Sequence, residues 1–264
     1  MRHFALYVND SKPGAQALAV QVRSILPQTG LRETALEDPA QCDVLIAIGG
    51  DGTILTAARK ALPYGKLVLG INAGRLGFLA GIEGHELALL RNLAAGDYDI
   101  DTRMLLAVRL WQGEALLREE SCINDAVVSR HGRSRLAELA VCCDGQVLGY
   151  LGDGVIFSTP TGSTAYSFSA GGPVVDPRIE SILLTPICNH VLFSRSVVFS
   201  PSTVFRMDIT QDGLALTCDA EPPLPLQPGQ RIEVCCCAER VNFLRLKPQG
   251  FLDTLNTKLV SGLR

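Results

Sequence analysis

Residues 43–53 read DVLIAIGGDGT. Val44 to Ile48 form an unbroken apolar run bounded by Asp43 and Gly49, which reads as a strand buried on both faces. Gly49, Gly50, Asp51, Gly52 and Thr53 follow at once. Glycine costs conformational entropy and fills no core volume, so this is a poor way to pack an interior. A tight turn at the strand's end would account for it. So would a ligand site, because α/β sheets bind ligands outside the carboxyl ends of their strands. Beyond the glycines, Ile54, Ala58, Ala61 and Leu62 share one helical face, which Pro63 ends. The start of such a helix offers free backbone N–H groups and the positive end of a dipole, which suit a phosphate. Asp51 does not suit a phosphate, since two anions repel. It fits better beside a sugar hydroxyl, accepting its hydrogen bond or its proton.

On either side of this stretch strands and helices alternate. HFALYV (3–8) reads as a strand, AQALAVQVRSIL (15–26) as a helix stopped by Pro27, KLVLGI (66–71) as a strand and HELALLRNLAAG (85–96) as a helix. Alternation with short connections implies a parallel sheet with helices on its faces. Near Asp97 the pattern changes. MLLAVRLWQGEALLREESCINDAVVSR (104–130) reads as strands around a Gln-Gly turn, and Asp144-Gly145 marks a hairpin. Asp212-Gly213 repeats that hairpin signal, and QRIEVCCCAERVNFLRL (230–246) is strand again. The fold class expected is an α/β N-terminal domain with a parallel sheet, residues 1–98, followed by a β-rich C-terminal domain, residues 99–247. The tail, 248–264, reads as a short closing helix that packs back on the first domain.

The chain has 264 residues, 47% of them apolar and 19% charged, with a formal net charge of −3. That is long enough to bury roughly three quarters of the unfolded surface. With 24 basic and 27 acidic residues and no block of one sign, bulk charge makes no case for nucleic-acid binding. No apolar run approaches the ~18 residues a bilayer span needs, and the first apolar stretch is too short for a signal-peptide core. The expectation is a cytoplasmic protein with no membrane partner and nine reduced cysteines. Cys142-Cys143 and Cys235-Cys236-Cys237 lie in strand-like runs, where neighbours point to opposite faces and cannot share a metal. They read as small buried hydrophobes.

Several familiar motifs are missing. A dinucleotide fingerprint beginning at Gly50 needs glycine at 55, where Leu55 stands, and Gly65-Lys66 is followed by Leu67, so there is no P-loop. What remains is polar sequence in unlikely places. STPTGSTAYS (158–167) carries seven hydroxyls in ten residues, suited to a polar ligand such as a nucleoside, with Tyr166 offering an aromatic face. Asn124 and Asp125 interrupt an apolar strand, and Asn has the donor and acceptor needed to read an adenine edge. Hydroxyls that satisfy one another in turns, or a strand-end bulge, would equally explain both. NAGRLGFLA (72–80) puts a cation, Arg75, and an aromatic, Phe78, at the sheet's carboxyl edge.

GGDGT, then NAGRLGF, IND, DGVIFSTPTGSTAYSFSAGGPVVDP and LLTPICNH, in this order and spacing, resembles the NAD kinase family along nearly the whole chain. GGDGT alone is shared with diacylglycerol kinases, sphingosine kinases and phosphofructokinases; TPTGSTAY with SAGGP singles out NAD kinase. The resemblance implies phosphorylation of the adenosine ribose 2′-hydroxyl of NAD to NADP, with ATP or polyphosphate as donor and Mg2+ or another divalent cation on the phosphates. It implies that Asp51 contacts the ribose hydroxyl as base or orienting group, and that Gly49, Gly50, Gly52 and Thr53 surround the donor's phosphates. Arg75 and Phe78 join the NAD site, with Arg195 a further source of positive charge. Asn124 and Asp125 match an Asn-Glu pair that holds NAD. Thr164, Ala165, Tyr166 and Ser169 match the loop around adenine and nicotinamide. Asp153 matches an acidic residue that reaches the neighbouring subunit's site in homodimers or homotetramers. Position 125 departs from the family's commoner Glu by one methylene. A lipid kinase built on the same GGDGT turn, and a non-catalytic NAD-binding sensor, are the alternatives; the polar 158–167 stretch argues against the first and the presence of Asp51 against the second.

Overall fold

The computed structural model describes residues 1–74, 77–132, 135–191, 194–219, 221–248 and 250–261. The chain divides into two units, one of residues 1–102 and 241–264 and the other of residues 103–240. The sequence reading placed the crossings at 98/99 and 247/248.

The first unit carries β1 (His3–Val8), α1 (Ala15–Ile25), β2 (Arg32–Glu33), β3 (Val44–Gly49), α2 (Asp51–Ala61), β4 (Leu67–Asn72), β5 (Ile82–Glu83) and α3 (Arg91–Ala95). Its strands run parallel in the order β2-β1-β3-β4-β5. All six residues of β3 are buried, as the apolar run requires of a strand covered on both faces. α1 buries Ala15, Ala19 and Val22, one face at helical spacing, and α2 buries Ile54, Ala58 and Ala61. The helix expected over 85–96 is divided: a 3-10 turn, Leu87–Leu90, precedes α3, and Gly96 closes it at φ 74°. Phe4, Ile46, Ile48, Leu69 and Ile71 form the core together with Leu244 and Leu246 from the end of the chain.

The second unit is built of strands. β6 (Asp99–Gln112) leads into it, followed by β7 (Ala115–Cys122), β8 (Asp125–Arg130), β9 (Ala137–Cys143), β10 (Gln146–Gly152) and β11 (Gly154–Ser158). One short helix, α4 (Tyr166–Ser169), precedes β12 (Ile182–Ile187), β13 (Val197–Phe199), β14 (Phe205–Asp208), β15 (Leu214–Cys218), β16 (Leu224–Pro225) and β17 (Gln230–Arg245), whose last residues belong to the first unit; α5 (Phe251–Ser261) ends the chain. Six strands make an antiparallel sheet in the order β13-β12-β11-β8-β15-β16. β9 pairs with β10 and β14, and β14 with β17. The core lies between these layers: the Phe157 ring sits 5.2 Å from Phe205, which meets Phe199 edge-on at 5.0 Å.

Two expectations are corrected here. Asp144-Gly145 makes the β9–β10 hairpin, both residues at positive φ. Asp212-Gly213 makes no hairpin, because β14 pairs with β9 and β17 while β15 pairs with β8. The turn carries the chain from one sheet to the other, and long-range partners override the local signal. The cysteines are not uniformly buried either. On β9 Cys143 faces the core and Cys142 faces out, as strand alternation demands, and Cys188 is also exposed.

Candidate active site

β3 ends at Gly49 and α2 begins at Asp51, with extended Gly50 as its N-cap. Gly49 is a packing glycine: an added Cβ would lie 2.3 Å from the Thr53 hydroxyl oxygen. Thr53 is buried, and its hydroxyl accepts a hydrogen bond from the Asn9 side-chain amide at 2.9 Å. Thr53 therefore braces the turn from beneath. Gly50 and Gly52 differ from Gly49, since a Cβ at either would meet no described atom within 4 Å. The unconstrained side of the turn is where the helix presents its first amides.

The Asp51 carboxylate is half-buried and aimed by peptide groups. The Phe78 N–H donates to Oδ2 at 3.0 Å and the Leu79 N–H to Oδ1 at 3.1 Å. Gly77 makes this possible, because a Cβ there would fall 2.1 Å from Oδ1. The loop after β4 thus serves Asp51 through its backbone. The Phe78 side chain is itself half-buried, and Arg75 lies outside the described residues.

In the second unit, Asn124 and Asp125 stand at the start of β8. Their backbone is gripped by Asp219, whose carboxylate accepts the N–H groups of Ile123 at 2.7 Å, Asn124 at 2.7 Å and Asp125 at 3.1 Å. Asp125 is 6% exposed. Burial pushes its carboxyl up to about 7, and the Asp219 charge adds to the shift. Asp219 was not singled out from the sequence. Its one visible signal is a carboxylate directly after the apolar run of β15, and nothing in the sequence links it to residues 94 to 96 positions earlier.

The hydroxyl-rich stretch is mostly scaffold. Ser158, Thr159, Thr161, Ser163 and Ser167 are all buried. The Thr159 hydroxyl donates to the Ile123 carbonyl, Ser163 to the Pro160 carbonyl, and Ser167 pairs with Thr185. The buried Arg103 guanidinium donates to the Thr161 hydroxyl at 3.0 Å. Gly162 lets this stretch dock, since a Cβ would lie 2.1 Å from the Asn124 carbonyl oxygen. Of the two readings this stretch allowed, the self-satisfying one describes five of the seven hydroxyls: Ser158 and Thr159 bond the Asn124 and Ile123 carbonyls, while Thr161, Ser163 and Ser167 bond other groups of the protein. Thr164 and Ala165 are half-exposed, and Tyr166 and Ser169 of α4 are exposed. Partial burial pushes the Tyr166 phenol up, and Cys188, Asp153 and Asp125 add to it, so these groups share one neighbourhood. Asp153 is paired with Arg130 at 2.8 Å. Arg195 is exposed, just before β13. Among the described residues no helix is long and apolar enough to cross a membrane.

Two family models match the chain, the ATP-NAD kinase N-terminal domain over residues 27–98 and the ATP-NAD kinase C-terminal domain over residues 123–246. The class is therefore that of phosphotransferases with an α/β unit ahead of a β-rich one. An NAD kinase of Symbiobacterium thermophilum is 37% identical, over 98% of this chain and 99% of its own. Among solved structures, a yeast NADH kinase complexed with NADH superposes with a TM-score of 0.90 at 24% identity, over 98% of this chain and 88% of that one. An Archaeoglobus fulgidus NAD kinase in complex with ATP gives 0.79 at 22%, over 99% of each. The chain belongs to the NAD kinase family. The lipid-kinase and sensor readings find no support in these matches.

Proposed function

We propose that the chain transfers a phosphoryl group from ATP or polyphosphate to the 2′-hydroxyl of the adenosine ribose of NAD, giving NADP. Membership of the NAD kinase family supports the overall reaction. The observation that carries the residue-level reading is the Asp51 carboxylate, fixed by two amides at the carboxyl end of β3 and beside the first turn of α2. In the transfer the ribose oxygen bonds to the terminal phosphorus and the bond from that phosphorus to its bridging oxygen breaks. The shortened donor leaves with the bond's electrons, and the hydroxyl proton passes to Asp51. Such chemistry rests on positioning and charge neutralisation more than on covalent catalysis.

The amides around Gly50 and Gly52 would cradle the donor's phosphates, with Gly49 and Thr53 shaping the turn behind them. Asn124, Asp125, Thr164, Ala165, Tyr166 and Ser169 would bind NAD. Among the described residues no three His, Cys, Asp or Glu side chains gather as a metal cage. A divalent cation such as Mg2+ would arrive on the donor's phosphates as part of that substrate.

The test is NADP formation by purified protein given NAD, Mg2+ and either ATP or polyphosphate. Product is expected, and the donor panel separates the two phosphate sources. Asp51→Asn should lower turnover at least ~10²-fold, the scale of a lost general base, in a protein that still folds. No product with either donor from folded protein that binds NAD would return the sensor reading; no NAD binding at all would return a lipid acceptor.

A further inference from the structure

The loop that holds Asp51 is itself held from its other side. Arg245, the last residue of β17, has only 13% of its side chain exposed. Its guanidinium bonds the Asp101 carboxylate through Nε at 3.0 Å and Nη2 at 2.8 Å. The remaining N–H groups turn to the loop. Nη2 donates to the Phe78 carbonyl at 3.3 Å, and Nη1 to the Leu79 carbonyl at 3.4 Å and to the Ala80 carbonyl. Phe78 and Leu79 are the residues whose N–H groups bond Asp51. At Gly81 the loop runs so close to β17 that a Cβ would sit 2.4 Å from the Leu244 carbonyl oxygen.

We infer that Arg245 is a positioning residue for Asp51, acting through the peptide groups of Phe78 and Leu79. The inference rests on Asp51 being the group at the acceptor hydroxyl. The Phe78–Leu79 peptide gives its N–H, that of Leu79, to the carboxylate and its carbonyl, that of Phe78, to the guanidinium, so rotating it breaks bonds on both sides. A planar guanidinium has five donors in fixed directions, enough for Asp101 and three carbonyls together; an ammonium is a point charge that cannot reproduce that fork. Asp101 neutralises the cation and sets its plane. If the loop slackens, Asp51 moves by a fraction of an ångström, which the fold tolerates and the chemistry does not.

A purely structural Arg245 would also lower activity when replaced, by unfolding some of the protein. The two roles separate in a double-mutant cycle. Arg245→Lys, Asp51→Asn and their combination would be assayed for kcat and KM for NAD, with thermal melts of each. Expected for Arg245→Lys is a kcat lower by roughly 10- to 100-fold, the cost of misplaced reacting groups, with KM for NAD little changed. In the Asp51→Asn background the same substitution should cost less than about 2-fold, because residues that act as one unit are not additive. An equal loss in both backgrounds overturns the inference and leaves Arg245 a structural residue. Normal turnover in folded Asp51→Asn, with Arg245→Lys still impaired, removes Asp51 from the chemistry and this route with it. Should Arg245→Lys fail to fold, Asp101→Asn loosens the same guanidinium while leaving it in place, and the cycle is read with that variant.

Discussion

Asp125 and Asp219 put two carboxylates at the start of one buried strand, and the consequence is a proton. Burial, with Asp219 beside it, raises the Asp125 carboxyl to about 7, whereas an unfolded Asp titrates near ~3.9. Between these values the folded protein holds a proton that the unfolded chain has lost. Stability from this group therefore falls as pH rises from about 4 to about 7 and levels off above. Asp125→Asn removes the titration. Melts across this range should find the variant more stable than the parent at pH 8, by about 4 kcal/mol, with the gap closing towards pH 4. A constant difference at every pH would show that Asp125 is not the group responsible. The shorter side chain, read in the sequence as a departure from Glu, thus stands in a desolvated position. That Asp125 interrupts an apolar strand was legible; that a second carboxylate stands beside it was not, because the partner follows β15, 94 positions later.

At the level of elements, two glycines with similar contacts serve different ends. Gly77 stands against the tip of the Asp51 side chain, at 2.1 Å from a would-be Cβ, and Gly162 stands against the Asn124 backbone at the same distance. A side-chain tip can move aside, so Gly77→Ala should leave the melting temperature close to the parent's while cutting kcat at least ~10-fold. Backbone cannot move without unpicking the loop, so Gly162→Ala should lower stability as well as activity. A Gly77→Ala enzyme with full kcat would show that the placement of the carboxylate is not critical. β3, α2 and the glycine turn were readable because burial on both faces, helical spacing and glycine are local signals. The inward aim of Ser158 and Thr159 was not. Which way a hydroxyl points depends on the segment packed against it, here Ile123 and Asn124, more than 30 positions away. Asp212-Gly213 failed for the same reason, a sound local turn signal overruled by partners far along the chain.

For the whole molecule, the expectation that subunits share sites has a direct test. Asp153 is paired with Arg130 of its own chain, and the resemblance read in the sequence implies that it reaches into a neighbour. Separately inactive Asp51→Asn and Asp153→Asn proteins, once mixed into verified hetero-oligomers, should recover part of the activity if each supplies what the other lacks. No recovery would confine Asp153 to its own subunit. The two-part architecture was legible from the change of pattern near Asp97; the ownership of Val241 to Arg245 was not, since QRIEVCCCAERVNFLRL reads as one uniform strand. That ownership governs the order in which the protein can be finished. Residues 103–240 are contiguous and can close as soon as they have been synthesised. The first unit, begun earlier, must wait for Leu244, Arg245 and Leu246. A chain arrested before residue 241 would own every atom of GGDGT and still lack the strand end that braces the loop holding Asp51, so competence waits for residues 241–246.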